Sequence, residues 1–476
     1  MTFNSFIFWL VFPCIFVVYW LLPNVITGGE TGKIIRPRNI LLIVVSYLLY
    51  ANWKPAYALI LLAVTLLTYI GARYIEAKEN HRKQGIIFTF ATLTLVPLLV
   101  FKYYNFVNES FWSLLISAGL RYELQGLNWA IPVGISFYTF QALGYLFDVY
   151  YKKEKAEKSI FDYALFVSFF PQVFSGPISK AGELLPQIKE KRKFKYEQGV
   201  QGLKFLLWGM FLKLVLADRL GLYVDKVVGS YSMYDGPTCV MSAIFYSLQI
   251  YGDFAGYSLM AVGVAKLMGF DLINNFNRPY FSISITDFWR RWHISLSRWL
   301  KDYVYIPMGG SRCSKLRNYW NIFVTFLVSG IWHGANWTYI VWGIIHGVAQ
   351  IVEKSLGLNN KESHGILRFV RIVVTFAIVT LAWVFFRMPT LSDAVAFVEH
   401  SFSSFGIPEV LSITNFVIYV MAIAIVLFKE SREEFFSTRF RFLNNRYVKW
   451  SEYVIIFCLI LLCGALDSGS FIYGSF

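Results

Sequence analysis

Residues 6–22 read FIFWLVFPCIFVVYWLL, an unbroken run without a single charged side chain. A second run, ILLIVVSYLLY, follows at 40–50. Stretches of this length and apolarity are long enough to enter or cross the hydrocarbon layer of a membrane. Composition agrees. Of 476 residues, 57% are hydrophobic, 19% aromatic and only 15% charged, and the mean hydropathy is +0.51. A soluble chain of this size would carry about a quarter of its residues as charges. The fold class that follows is an all-α polytopic membrane protein.

Twelve spans can be drafted near 6–22, 39–53, 56–73, 85–106, 130–149, 203–219, 239–268, 318–335, 336–352, 370–386, 411–428 and 451–468. MTFNS ahead of the first has no basic residue and no small-residue cleavage site after the run, so that span reads as uncleaved. Basic residues set the orientation. Lys33, Arg36 and Arg38 follow span one, Arg73, Lys78, Arg82 and Lys83 follow span three, and YKKEKAEK follows span five. KEKRKFKYEQ precedes span six, and KESREEFFSTRFRFLNNRYVK (429–449) precedes the last. With both termini outside, all of these loops fall in the cytoplasm. The net charge of +15 is thereby read as positive-inside loops, not as a nucleic-acid surface. The five cysteines (14, 239, 313, 458, 463) form no disulfide framework and no CxxC metal motif.

Two segments do not fit simple crossings. FDYALFVSFFPQVFSGPISKAGELLPQI (161–188) lies between basic loops and carries Pro171, Gly176, Pro177 and Pro186, so it is expected to be re-entrant and broken. SISITDFWRRWHISLSRWLKDYVYIPMGG (282–310) has apolar residues at helical spacing with Arg290, Arg291, Arg298 and Lys301 among them. It is expected to be one amphipathic helix, capped at Thr286 and Asp287, stopped by Pro307, and lying at the cytosolic interface or dipping into the bundle. Neither repeats nor low-complexity tracts interrupt the chain, which reads as a single domain over 1–476.

Six histidines are present. His81, His364 and His400 fall in polar loops, where solvated surface is the ordinary role. His293, His333 and His346 fall in or against apolar segments, where an imidazole is costly unless hydrogen-bonded. His333 stands out in VSGIWHGANWT (328–338), because Gly334 allows close backbone approach and imidazole chemistry suits a general base. For Trp332 and Trp337 an interfacial aromatic belt is an equal reading. No HExxH, His/Cys cluster, carboxylate pair or GxSxG elbow accompanies these residues, so a metal site and a serine hydrolase are both disfavoured.

DFWRRWHISLSRWLKDYVYIPMGGSR (287–312) and SGIWHGANWTYIVWGIIHG (329–347) closely resemble the membrane-bound O-acyltransferase family, best its alginate O-acetylation branch. IPVGISFYTFQALGYLFDVY (131–150) and FFPQVFSGPISKAGELLPQ (169–187) resemble further signatures in family order. The resemblance implies a bundle of about 11–12 transmembrane helices around a central funnel in a bacterial cytoplasmic membrane. It implies an acyl, most simply acetyl, transfer from a cytosolic thioester (acetyl-CoA or a carrier protein's phosphopantetheine) to an extracytoplasmic polysaccharide, with no tightly bound cofactor. Partners would be membrane lipids, an extracytoplasmic SGNH-hydrolase-like acetyltransferase, and an acyl carrier protein if that is the donor.

Carried onto this chain, the family's near-invariant histidine is His333 and its second histidine is His293. Asn336 is a candidate to hold the His333 tautomer. Arg290, Arg291 and Arg298, with Trp289, Trp292 and Trp332, are candidates for the donor side, and positive-inside anchoring is an equal reading for each arginine. In YGDFAGYSLMAVG (251–263) Asp253 is kept but Leu259 stands where the family leads one to expect an acid, which implies a thinner buried polar network. The C-terminal FIYGSF (471–476) is similar to the acyl-accepting tail of a D-alanylation partner, making Tyr473 a candidate acyl relay outside the membrane; an aromatic terminus at the interface is the alternative. A D-alanyl transferase using a carrier protein and a non-catalytic transporter stay open beside the acetyl reading.

Overall fold

The computed structural model describes residues 3, 5–28, 33–78, 80–120, 125–173, 176–359, 362–436 and 445–465. Apart from a small antiparallel hairpin, β1 (Ile26–Gly28) on β2 (Lys33–Ile35), its regular structure is helical. In chain order the helices are α1 (Phe6–Leu21), α2 (Pro37–Ala51), α3 (Pro55–Ala77), α4 (Asn80–Ser117), α5 (Ile135–Tyr150), α6 (Ile160–Ser168), α7 (Phe170–Val173), α8 (Ala181–Lys189) and α9 (Tyr196–Met210). Then come α10 (Asp218–Val228), α11 (Gly236–Leu267), α12 (Ile285–Arg291), α13 (Ile294–Leu300), α14 (Lys315–His333) and α15 (Trp337–Ser355). The last are α16 (Gly365–Arg387), α17 (Leu391–Ser403), α18 (Ile413–Phe435) and α19 (Arg446–Cys463). Five described helical stretches are long and apolar enough to cross a bilayer unaided: Pro55–Ala77, Lys83–Ser117, Tyr196–Val228, Gly365–Arg387 and Ile413–Phe435. Shorter apolar helices lie at Phe6–Leu21, Pro37–Ala51 and Ile160–Val173.

Two compact units share the chain. Among the described residues, the first is built from 1–203 and 261–273, the second from 204–260 and 274–465. In the first, α5 is buried on nearly every face, with α3 and α4 packed on it. Arg38, expected in a solvated loop, is buried and donates to the carbonyls of Trp20 (3.2 Å), Leu22 (2.8 Å) and Arg192 (2.9 Å). Arg192 donates in turn to the Tyr19 hydroxyl (2.7 Å) and the Gln187 carbonyl (2.6 Å). Backbone carbonyls, a phenol and the side-chain oxygens of Asn24 and Asn39 thus satisfy both guanidinium groups, which is the condition for burying them. The 161–188 segment is broken into α6, α7 and α8, as its prolines led one to expect.

In the second unit a wide helical turn, Phe211–Ala217, joins α9 to α10 with i→i+5 bonding. It brings Lys213 within 2.6 Å of both Asp218 and Asp253, all three buried. The acid expected at 259 is therefore not missed: Lys213 and Asp218 furnish the polar network around Asp253. His400 lies in α17, not in a loop, and its Nε2 meets the Tyr234 carbonyl at 2.7 Å. The 429–449 stretch is likewise helical through Phe435.

The 282–310 segment is not one helix. Ser284, rather than Thr286, caps it by accepting the Asp287 amide at 3.0 Å, and Asp287 lies inside the first turn. The helix then breaks at His293, whose φ of +44° is left-handed, and restarts as α13. Asn275 makes that break affordable: its carbonyl accepts the Ile294 amide at 2.9 Å and its side-chain Oδ1 accepts the Ser295 amide at 3.0 Å. A left-handed histidine is uncommon and needs such local support.

Helices α14 and α15 form a tight hairpin. A Cβ on Gly330 would stand 2.4 Å from the Tyr339 carbonyl oxygen, and one on Gly343 would stand 2.5 Å from that of Phe326. Only glycine permits this crossing, the small-residue packing typical of helices in lipid. Gly343→Leu is expected to destabilise the protein by about 2 kcal/mol or more through overpacking. Thermal unfolding of the detergent-solubilised protein reads the loss as a lowered midpoint, with Gly85→Ala, a helical position where no atom lies within 4 Å, as the reference.

Candidate active site

His333 is the last residue of α14, and four residues later Trp337 opens α15. The turn between them is set by Asn336, whose Oδ1 accepts the Thr338 amide (3.0 Å) and whose amide donates to the Pro389 carbonyl (2.7 Å). The side-chain oxygen thus caps α15, and the side-chain nitrogen ties the turn to the α16–α17 connection at Pro389. A Cβ on Gly334 would sit 2.1 Å from the Tyr339 ring, so the close approach inferred for this glycine is real.

The imidazole of His333 is 1% exposed and surrounded edge-to-face by Trp332 (centroids 4.9 Å apart), Trp342 (4.8 Å) and Phe386 (5.3 Å). His293 is fully buried at the α12–α13 break. Its Nδ1 lies 3.4 Å from Asn275 Oδ1, an oxygen that can only accept, so the proton of that bond belongs to the ring. Phe254 packs against it at 4.7 Å and Trp332 at 5.8 Å. Trp332 thus touches both histidines, which stand 40 positions apart in the chain (333 minus 293). Position along the sequence gave no sign of His346 as a neighbour, yet its ring lies 4.9 Å from Trp342 and its Nδ1 accepts the Trp289 indole N–H at 3.3 Å. All three membrane-segment histidines share one aromatic cluster.

Beside it is a cavity of about 390 Å³. Arg290, Lys301 and Lys354 line it, with Trp289, Phe326 and Ser329 among its apolar and small walls. Ser329 is one turn before His333 on α14, its hydroxyl is buried and it meets no partner among the described residues. The arginines of the 282–310 segment have separate places. Arg290 faces the cavity, whereas Arg291 is clasped by Glu434 (2.9 and 3.2 Å) and Asp287 (3.0 Å), and Arg298 is half-buried on α13 away from the cavity lining. Glu434 also holds Arg278 (3.2 Å) and Arg368 (2.9 Å). Arg291 therefore ties α12 to α18 rather than facing the cavity. Of the tryptophans, Trp289 lines the cavity, while Trp292 is fully buried against Trp383 and Phe276, both at 5.0 Å. Tyr473 lies outside the described residues. Among the described residues no group of His, Cys, Asp and Glu is arranged to hold a metal ion.

Asn275→Ala removes the acceptor for the Ser295 amide and the His293 ring, and leaving buried donors unmet is expected to cost about 1–3 kcal/mol. Urea or thermal unfolding checks the value, and proteolysis at 290–300 is expected to accelerate because the left-handed turn loses its clamp.

Comparisons with known proteins place the chain in a family. Residues 45–391 match the model of the membrane-bound O-acyltransferase family, MBOAT. The chain is 38% identical over 407 residues to "Probable alginate O-acetylase AlgI" of Pseudomonas aeruginosa, covering 85% of this chain and 75% of that one. It is 34% identical over 382 residues to "Peptidoglycan O-acetyltransferase" of Helicobacter pylori, covering 74% and 72%. To "Teichoic acid D-alanyltransferase" of Streptococcus thermophilus it is 27% identical over 346 residues, covering 67% and 78%. With a buried histidine at the α14–α15 turn and a cationic cavity one helical turn away, the chain belongs to the membrane-bound O-acyltransferase family and is an integral membrane acyltransferase.

Proposed function

We propose that this enzyme takes an acetyl group from a cytosolic thioester and delivers it for O-acetylation of an extracytoplasmic polysaccharide, with His333 as general base. The observation that carries the reading is that His333 and a wall of the cationic cavity lie on the same helix, one turn apart at Ser329. Arg290, Lys301 and Lys354 suit the phosphates of coenzyme A or of a phosphopantetheine arm, the guanidinium by paired hydrogen bonds and the ammonium groups as point charges. Ser329 offers an unmet hydroxyl to a polar group of the donor. On the expected topology the 282–310 segment faces the cytosol, so the donor would enter from that side.

In the reaction the acceptor hydroxyl oxygen attacks the thioester carbonyl carbon while His333 takes its proton. The new C–O bond forms, the C–S bond breaks, and the imidazolium returns its proton to the leaving thiolate. Trp332, Trp342 and Phe386 exclude water around the imidazole, which limits hydrolysis of the thioester. His293, touching Trp332, orients this wall. Acetyl is favoured over D-alanyl because the O-acetyl enzymes are 34–38% identical to this chain and the D-alanyl enzyme 27%. A separate extracytoplasmic SGNH-hydrolase-like transferase would place the group on the sugar, and Tyr473 is the proposed intermediate carrier. The setting is the cytoplasmic membrane of a bacterium.

His333→Ala is expected to lower kcat by about 10²–10⁴-fold, the usual worth of a general base, with donor binding retained. Transfer of radiolabelled acetyl from acetyl-CoA into membranes or purified acceptor measures it, and undiminished transfer would overturn the assignment. Arg290→Gln is expected to raise the donor KM about tenfold with little change in kcat, the pattern of a lost phosphate contact. For the carrier role, intact-protein mass spectrometry after incubation with acetyl-CoA is expected to show a single acetyl adduct that Tyr473→Phe abolishes.

A further inference from the structure

The reaction above leaves one buried histidine without a task. His346 is fully buried on α15, four residues after Trp342 and on the same helical face. Its Nδ1 accepts the Trp289 N–H at 3.3 Å, so the neutral ring carries its proton on Nε2, an atom that meets no partner among the described residues. The rings around it are all aromatic: Trp289 perpendicular at 5.1 Å, Trp342 at 4.9 Å, Phe288 stacked at 6.1 Å and Phe326 stacked at 6.2 Å. A phenylalanine would fill this space without any polar atom to bury. The one interaction a phenylalanine could not reproduce is acceptance of the indole proton.

Trp289 is the residue that gives this bond its consequence. Its side chain is a wall of the cavity, and beyond it stands Trp342 at 5.6 Å, which in turn touches His333 at 4.8 Å. The indole therefore occupies the space between the cavity and the aromatic surround of the general base. An indole can adopt three staggered positions about its first side-chain torsion and two broad ones about the second, and each would leave the cavity with a different depth. The hydrogen bond to His346 selects one of them, and a buried Trp N–H ordinarily requires such a partner.

We propose that His346 is a positioning residue that acts through Trp289 to set the depth of the donor cavity, and so confines the enzyme to short acyl groups. The inference rests on reading the cavity as the thioester site. The acyl chain of a donor whose phosphates lie at Arg290, Lys301 and Lys354 would run toward His333 and meet the fixed indole. Two carbons fit without displacing it; a longer chain requires the indole to leave its partner on His346.

The test uses the full-length protein in lipid nanodiscs, with kcat and KM measured for acetyl-, butyryl- and hexanoyl-CoA. Wild type is expected to favour acetyl over hexanoyl by about 100-fold in kcat/KM, the scale on which a wall of this kind discriminates by chain length. His346→Phe, which keeps the ring and loses the acceptor, is expected to reduce that ratio at least about tenfold, mainly by lowering the KM for hexanoyl-CoA. His346→Asn, whose carbonyl oxygen can stand near the Nδ1 position, is expected to restore the ratio. Trp289→Phe, which loses only the N–H and part of the ring, tests the same bond should His346→Phe not fold, and is expected to relax the ratio alike. The double variant is expected to go no further than the stronger single one, because both remove the same interaction. An unchanged ratio in His346→Phe or in Trp289→Phe, or additive effects in the double variant, would overturn the proposal. A wild type that transfers acetyl from acetyl-CoA but shows no preference by length overturns it too while leaving the thioester reading intact. Failure with every thioester removes both.

Discussion

Without side chains at Gly330 and Gly343, α14 and α15 approach until backbone meets backbone, and the position of His333 follows from that contact. A hairpin this close needs only a three-residue turn, and the turn carries its histidine into the space between the helices and α16. There Trp332, Trp342 and Phe386 close around it. Lipid offers helices no hydrophobic reason to associate, so small residues and shape must hold them together. Widening the hairpin by a single methylene at Gly343 would move the imidazole away from its aromatic surround. The seat of this imidazole depends on a contact made by residues that have no side chain.

Charge is distributed by a related rule. A chain of net charge +15 must place many cations, and those near the bilayer can be buried only with partners. Glu434 gathers Arg278, Arg291 and Arg368, and Glu353 accepts the Ile285 amide at 2.5 Å and the Thr286 amide at 3.1 Å at the start of α12. Two carboxylates therefore fix the segment that bears Arg290 and Trp289 from both ends. Lys213 with Asp218 and Asp253 is a third such anchor, placed in the wide turn between α9 and α10. What remains facing the cavity is a cationic set, Arg290, Lys301 and Lys354.

Much of this was legible in the chain before any coordinates. Apolar runs announced helices in a membrane because a spanning segment must be long, apolar and internally hydrogen-bonded, and those are properties of consecutive residues. WHGANW announced a turn with a buried histidine for the same local reason, and the resemblance of four stretches to one family pointed to the chemistry. The prolines of 161–188 marked a broken segment that is indeed broken into short helices. Spacing failed at 282–310, where apolar periodicity runs straight through His293. The helix breaks there because Asn275, eighteen positions earlier, accepts the Ser295 amide and lets the backbone turn left-handed. No periodicity can report a hydrogen bond offered from another segment.

The arginines and histidines divide along the same line. Sequence alone determined which residue types lie near the membrane and that His293 and His333 deserve attention; it could not separate Arg290 from Arg291, adjacent in the chain and identical in chemistry. Tertiary structure separates them, because successive residues on a helix point about 100° apart, one into a cavity and the other onto Glu434. His346 entered the site only when α15 folded back along α14 and put its ring against Trp289. Local patterns are written in neighbouring residues, whereas partners are chosen by packing, and packing is a property of the whole unit.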